Sequence, residues 1–154
     1  MAGRKRTLAG AASAAAVAAA TEGAPAGTPA LAASPDAIAE RGEHEITLAG
    51  VKYLLRPSHA ALRTIEKKLG CSQLKLIQRG NSHDLLVDEL GVIAAELIKA
   101  GATDELTQRV SAERIAELIQ EEGLLPIVAR LTLCLLDAAT GGRTASGEAK
   151  AATA

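Results

Sequence analysis

The chain has 154 residues, enough for one domain, and with one Tyr, no Phe and no Trp its core must be packed from Leu, Ile, Val and Ala. The near-absence of aromatic rings removes the stacking platforms that single-stranded nucleic acid requires. Net charge is −1, and no cluster of Lys and Arg is large enough to suggest duplex binding.

Residues 1–40 hold 17 Ala and only four Val/Ile/Leu residues (Leu8, Val17, Leu31, Ile38), with Pro and Gly interspersed. Arg4-Lys5-Arg6 followed by Leu8 to Ala20 has the layout of a secretory signal. Its middle, however, contains only Leu8 and Val17 as strongly apolar residues, too few to insert well and too short to span a bilayer. The balance favours a disordered arm over 1–40, with a small secreted helical protein as the alternative should 1–20 be cleaved. Residues 140–154 are equally poor in core formers and are expected to be a disordered tail, leaving 41–139 as the foldable part.

That part opens with a hairpin. His44 to Leu48, an Ala49-Gly50 turn and Val51 to Arg56 alternate with period 2. Placing Ala49 and Gly50 in a type I′ turn pairs Leu48 with Val51, Ile46 with Tyr53 and His44 with Leu55; Thr47–Lys52, Glu45–Leu54 and Glu43–Arg56 form the other face. Two strands are not stable alone, so the face bearing Ile46, Leu48, Val51, Tyr53 and Leu55 needs a platform.

Helices follow. Ser58 caps Ala60–Leu69, which Gly70 ends; Ser72 caps a short helix ended by Gly80. Asn81 to Asp84 read as the cap of the longest helix, about Asp84–Ala100, with Leu86, Leu90, Ile93 and Leu97 in one stripe. Gly91 within it costs about 1 kcal/mol against Ala, which points to close approach of another element. Residues 102–110 read equally as a loop or one helical turn. Ser111 caps Ala112–Glu122 with Val110 and Ile115 as a staple, and Pro126 lies in the first turn of the last helix. On that last helix Leu124, Leu125, Leu133 and Leu136 broaden the apolar stripe beyond what a one-sided surface helix requires. This surplus fits either a helix buried on two sides or a docking groove. The fold class is therefore α+β, mostly α: an N-terminal hairpin packed on a small bundle of about four to five helices, with the 84–100 or the 126–138 helix as platform.

Chemistry is absent. The sequence has no phosphate-binding glycine loop, no HExxH, no Ser/His/Asp elbow and no CxxC pair. His44, His59 and His83 each have an ordinary structural reading, and Cys71 and Cys134 lie 63 residues apart without ligand neighbours. No catalytic, cofactor-binding or metal-binding residue is expected. The helices 111–122 and 126–138 have helix–turn–helix spacing, but the second carries a single cation, Arg130, too few for DNA. Charge is nonetheless polarised: residues 41–80 carry eight Lys/Arg against three Glu, and residues 81–139 carry four against eleven Asp/Glu. Either the halves attract each other within the fold, or they present opposite surfaces that select a partner or drive head-to-tail association.

The run Arg41-Gly42-Glu43-His44-Glu45-Ile46-Thr47-Leu48-Ala49-Gly50-Val51-Lys52-Tyr53-Leu54-Leu55-Arg56-Pro57-Ser58, followed by Ala60 to Glu66, Leu69-Gly70 and later Val110 to Ile119 with Glu122-Gly123-Leu124, resembles the small tail assembly chaperones of siphophage-like tails and gene transfer agents. The resemblance covers about 41–139. It implies a non-enzymatic protein of the host cytoplasm that binds the tape-measure protein during tail morphogenesis and is displaced as tail-tube protein polymerises. Homo-oligomer formation is compatible with it; nucleic acid and membrane are not expected partners. The residues expected to meet the partner are Leu124, Leu125, Leu133 and Leu136, with Glu113 and Glu117 supplying charge complementarity. A minor structural tail component is the alternative.

Overall fold

The computed structural model describes residues 44–150. Strands β1 (His44–Leu48) and β2 (Val51–Leu55) form a two-stranded antiparallel hairpin. Its register pairs His44 with Leu55, Glu45 with Leu54, Ile46 with Tyr53, Thr47 with Lys52 and Leu48 with Val51, as the turn chemistry predicts. Ala49 (φ 50) and Gly50 (φ 77) both take the positive φ of a type I′ turn. The expected Glu43–Arg56 pairing and the arm over 1–40 fall outside the described residues.

Six helices follow: α1 (His59–Leu69), α2 (Gln73–Asn81), α3 (Val87–Gly101), α4 (Glu105–Gln108, a single turn), α5 (Ala112–Glu122) and α6 (Leu124–Ala139). The caps read from sequence are built. Ser58, Ser72 and Ser111 accept from the backbone N–H groups of Ala61, Lys75 and Arg114 at 3.1, 3.3 and 3.1 Å. Gly70 ends α1 in the left-handed region with its N–H on the Glu66 carbonyl. Asp104 caps α4, resolving residues 102–110 as a loop with one helical turn.

Helix α3 is central. Leu90, Gly91, Ile93, Ala94, Ala95, Leu97, Ile98 and Gly101 are all buried on it, and α1, β2, α4, α5 and α6 all pack against it. Both proposed platforms serve the hairpin: β2 lies on α3, where the Arg56 N–H donates to the Leu97 carbonyl at 3.1 Å, while β1 meets α5 and α6. Leu54, expected on the polar face, is buried as well, because the backbone of Gly101 closes over it: a Cβ at Gly101 would lie 2.5 Å from the Leu54 carbonyl oxygen. Gly91 has the close approach its cost implied, since a Cβ there would lie 2.5 Å from the Ala112 carbonyl oxygen and 2.7 Å from the Ala116 Cβ.

Three further features differ from the sequence reading. Helix α3 begins at Val87, not Asp84, and so the longest helix is α6, at 16 residues against 15. Arg79 sets that start: its guanidinium donates to the Asp84 carbonyl at 2.8 and 3.1 Å and forks onto Glu89 with two bonds of 2.7 Å. Glu89 in turn accepts from the Leu86 N–H at 2.8 Å, half of a capping box. Residues 84–86 are thereby held outside the helix, and Leu86 is exposed instead of joining the core stripe.

Gly80 does not stop α2. It is buried inside the helix against α6, where a Cβ would stand 2.2 Å from Thr132 Oγ1.

The segment expected to be a disordered tail folds back through residue 150. Arg143 bridges to Ala149, the His59 N–H at the start of α1 donates to the Ala145 carbonyl at 2.8 Å, and Gly147 is buried against Arg56, Pro57 and Ser58. Gly147, in the segment expected to be a disordered tail, supplies the positive φ of this turn (φ 87).

Candidate docking surface

Helix α6 places Ile127, Val128, Leu131, Thr132, Cys134 and Leu135 in the core. At about 100° per residue, Leu125, Ala129, Leu133 and Leu136 fall together on its opposite side, a stripe about 16 Å long. Leu125, Leu133 and Leu136 are 66%, 48% and 41% exposed, too much apolar surface to be a second buried face. Leu124 is 37% exposed, but its helical position points it toward the core side, away from that stripe. Three of the four predicted leucines therefore share a face and the fourth does not.

The Glu-rich face of α5 is a separate surface. Ile115, Ala116, Leu118 and Ile119 face inward, and Glu113, Glu117 and Glu121 face out. These three carboxylates line a shallow groove of about 510 Å³ with Val87 and Asp88 of α3; none of the four leucines lines it. Glu117 is paired with Arg114 at 2.7 Å, and that hydrogen bond raises the Arg114 guanidinium above its ordinary value. Glu113 and Glu117 line this groove, and the leucines of α6 do not.

Further exposed leucines went unread in the sequence: Leu74 on α2, Leu86 before α3 and Leu106 on α4. Helical spacing could flag Leu74; Leu86 needed knowledge of the Arg79 clamp.

Two other chemistry-bearing side chains, His44 and Cys134, are tied into structure. His44 Nε2 is hydrogen-bonded to Asp137 Oδ2 at 2.5 Å, joining β1 to α6, and Arg143 reaches the same carboxylate at 3.9 Å. Burial pushes the Cys134 thiol up to about 12, which makes it inert as a nucleophile. His59 and His83 are exposed. Among the described residues no group of three or more His, Cys, Asp or Glu could hold a metal ion, and no helix is long and apolar enough to cross a membrane.

The arrangement presents surfaces that another chain could contact. It has a rigid aliphatic core, one exposed leucine stripe and one acidic groove. No curated protein and no solved structure matches the chain. A family model does, over residues 41–142, a span that begins just before the hairpin and closes just after α6. The chain belongs to the family described as phage tail tube protein, GTA-gp10.

Proposed function

We propose that this tail protein acts as an assembly chaperone, binding the tape-measure protein through the Leu125, Leu133 and Leu136 stripe of α6 before the tail closes around it. The observation that carries the reading is the stripe itself. Three leucines sit on one outward helical face, each at least 41% exposed, in a protein whose core is otherwise complete. A groove-free leucine stripe of three turns suits an amphipathic partner helix, which would cover it with its own i, i+3, i+4 leucines. A long helical tape-measure chain offers many such faces and aggregates if they stay bare. The host cytoplasm, where tails assemble, is the compartment of this role, and no catalysis is part of it.

Co-expression provides the test. A tape-measure protein from the same tail should move from the insoluble to the soluble fraction when this chain is present, and the two should co-purify. A tape-measure protein equally insoluble with and without it would end the chaperone reading.

The family description favours a second reading, a structural component retained in the tail. The two separate cleanly in purified particles: a chaperone is absent from finished tails, and a structural component is present in fixed stoichiometry.

A further inference from the structure

Two outward helix faces carry opposite charge and matching spacing. On α1, Ala61 and Ile65 are buried, and Arg63 and Lys67 project from the opposite side; with Ala60, Thr64 and Glu66, whose carboxylate accepts from the Gln73 N–H at 2.8 Å, they line a shallow groove of about 650 Å³. On α5, Glu113, Glu117 and Glu121 project at the same four-residue interval, with Asp88 of α3 alongside. Arg63, Lys67, Asp88, Glu113 and Glu121 make no ion pair among the described residues. Other cations are already committed: Lys68 and Lys99 hold Glu96 at 2.8 and 3.2 Å, and Arg79 holds Glu89.

The fold prevents these faces from meeting within one molecule. Both helices pack on α3, α5 through Gly91 and α1 through the Lys68–Glu96 pair. Residues 91 and 96 are five apart, about 140° around that helix. The basic and acidic faces are thus on opposite flanks of α3, turned away from each other. The intramolecular neutralisation that charge polarity first suggests does not occur between them.

We propose that the Arg63/Lys67 face of α1 docks on the Glu113/Glu117/Glu121 face of α5 in a second copy of this chain, giving head-to-tail association. A row of cations spaced i, i+4 meets a row of carboxylates spaced i, i+4. The small, exposed Ala60 beside the basic row allows the helices to approach closely. The contact is heterologous: each copy keeps one free face of either sign, so association continues beyond two copies instead of closing as a symmetric dimer. Two faces of about three turns each bury less than a stable interface, which puts the single contact in the weak, salt-sensitive class. This inference stands apart from the chaperone reading, because neither face includes the α6 stripe.

The test is a charge-swap pair on the full chain, read by sedimentation velocity at low salt and high protein concentration. One variant carries Arg63→Glu and Lys67→Glu, leaving both faces acidic; the other carries Glu113→Lys and Glu121→Lys, leaving both basic. Wild type should show concentration-dependent species larger than a monomer that disappear at high salt. Each variant alone should remain monomeric, and a mixture of the two should regain the large species, because every α1–α5 contact between unlike variants is again complementary. All four side chains are outward, so circular dichroism and thermal melts should match wild type. Should a double variant fold poorly, charge removal by Arg63→Gln with Lys67→Gln, or by Glu113→Gln with Glu121→Gln, should weaken the wild-type association. A wild type that stays monomeric under these conditions overturns the proposal, as do variants that associate alone like wild type or a mixture that stays monomeric.

Discussion

Thr132 is a polar side chain in an apolar place. Its Oγ1 is buried with no hydrogen-bond partner among the described residues, facing the bare backbone of Gly80. An unsatisfied buried hydroxyl costs about 1–3 kcal/mol, so Thr132→Val, which keeps the shape and removes the polar atom, should raise stability by about 1 kcal/mol in urea unfolding. Gly80→Ala should do the reverse. Helix propensity alone favours Ala by about 1 kcal/mol. Rotating Thr132 can remove the 2.2 Å contact, yet its Cβ would remain 3.2 Å from the new methyl. The clash wins, and a net loss of about 2 kcal/mol is expected. Combining Gly80→Ala with Thr132→Ala should cost clearly less than the two single losses added together, the sign of a direct contact. Strict additivity would show that the two residues do not meet.

The Arg79–Glu89 clamp gives the fold one pH-dependent element. The hydrogen bonds from Arg79 hold the Glu89 carboxyl below its ordinary value of 4.5, outweighing the opposing effect of burial. A carboxyl depressed in the folded state contributes stability that is complete above 4.5 and lost as pH falls through the lower folded value. Wild type should therefore be more stable than Glu89→Gln at pH 7, with the gap narrowing on acidification below 4.5. A gap that is constant with pH would show that the fork contributes no charge-dependent stability.

Among the elements, the C-terminal turn is held by one glycine. At Gly147 φ is 87, and a Cβ would lie 2.8 Å from the Pro57 carbonyl carbon and the Ser58 nitrogen, backbone atoms that cannot step aside. Gly147→Ala should release the turn at a cost of about 2 kcal/mol. The His59 amide, which donates to Ala145, reports it: its hydrogen exchange should accelerate while the α3 amides stay protected. Unchanged protection at His59 would contradict the packing.

Sequence reading succeeded where the determinants are local. Ser58, Ser72 and Ser111 act within four residues, and the hairpin register follows from where Ala49 and Gly50 turn. It fell short where distant groups decide. The start of α3 depends on Arg79 reaching back across a loop, and Gly80 looks like a helix stop until Thr132, 52 residues later, fills the space beside it. The tail was illegible for the same reason: Gly147 packs against Pro57 and Ser58, a contact that composition cannot show. At the proposed site, helical periodicity set out Leu124, Leu125, Leu133 and Leu136 as surplus apolar surface; three of them share an exposed face, Leu124 lies off it, and Glu113 and Glu117 line a groove that holds none of the four.

Taken as a whole molecule, the protein is distinguished by its surfaces. Its leucine and isoleucine core fixes three outward helix faces, apolar on α6, acidic on α5 and basic on α1, in a chain of a phage tail family. The central claim is that the α6 face receives the tape-measure protein. Affinity capture of tape-measure protein by wild type and by a Leu133→Asp, Leu136→Asp variant tests it most directly, with circular dichroism confirming that both are folded. Both side chains are already exposed, so the variant should fold, while its binding should fall roughly tenfold or more if these are anchor residues. Capture at wild-type levels by the folded variant would contradict the claim.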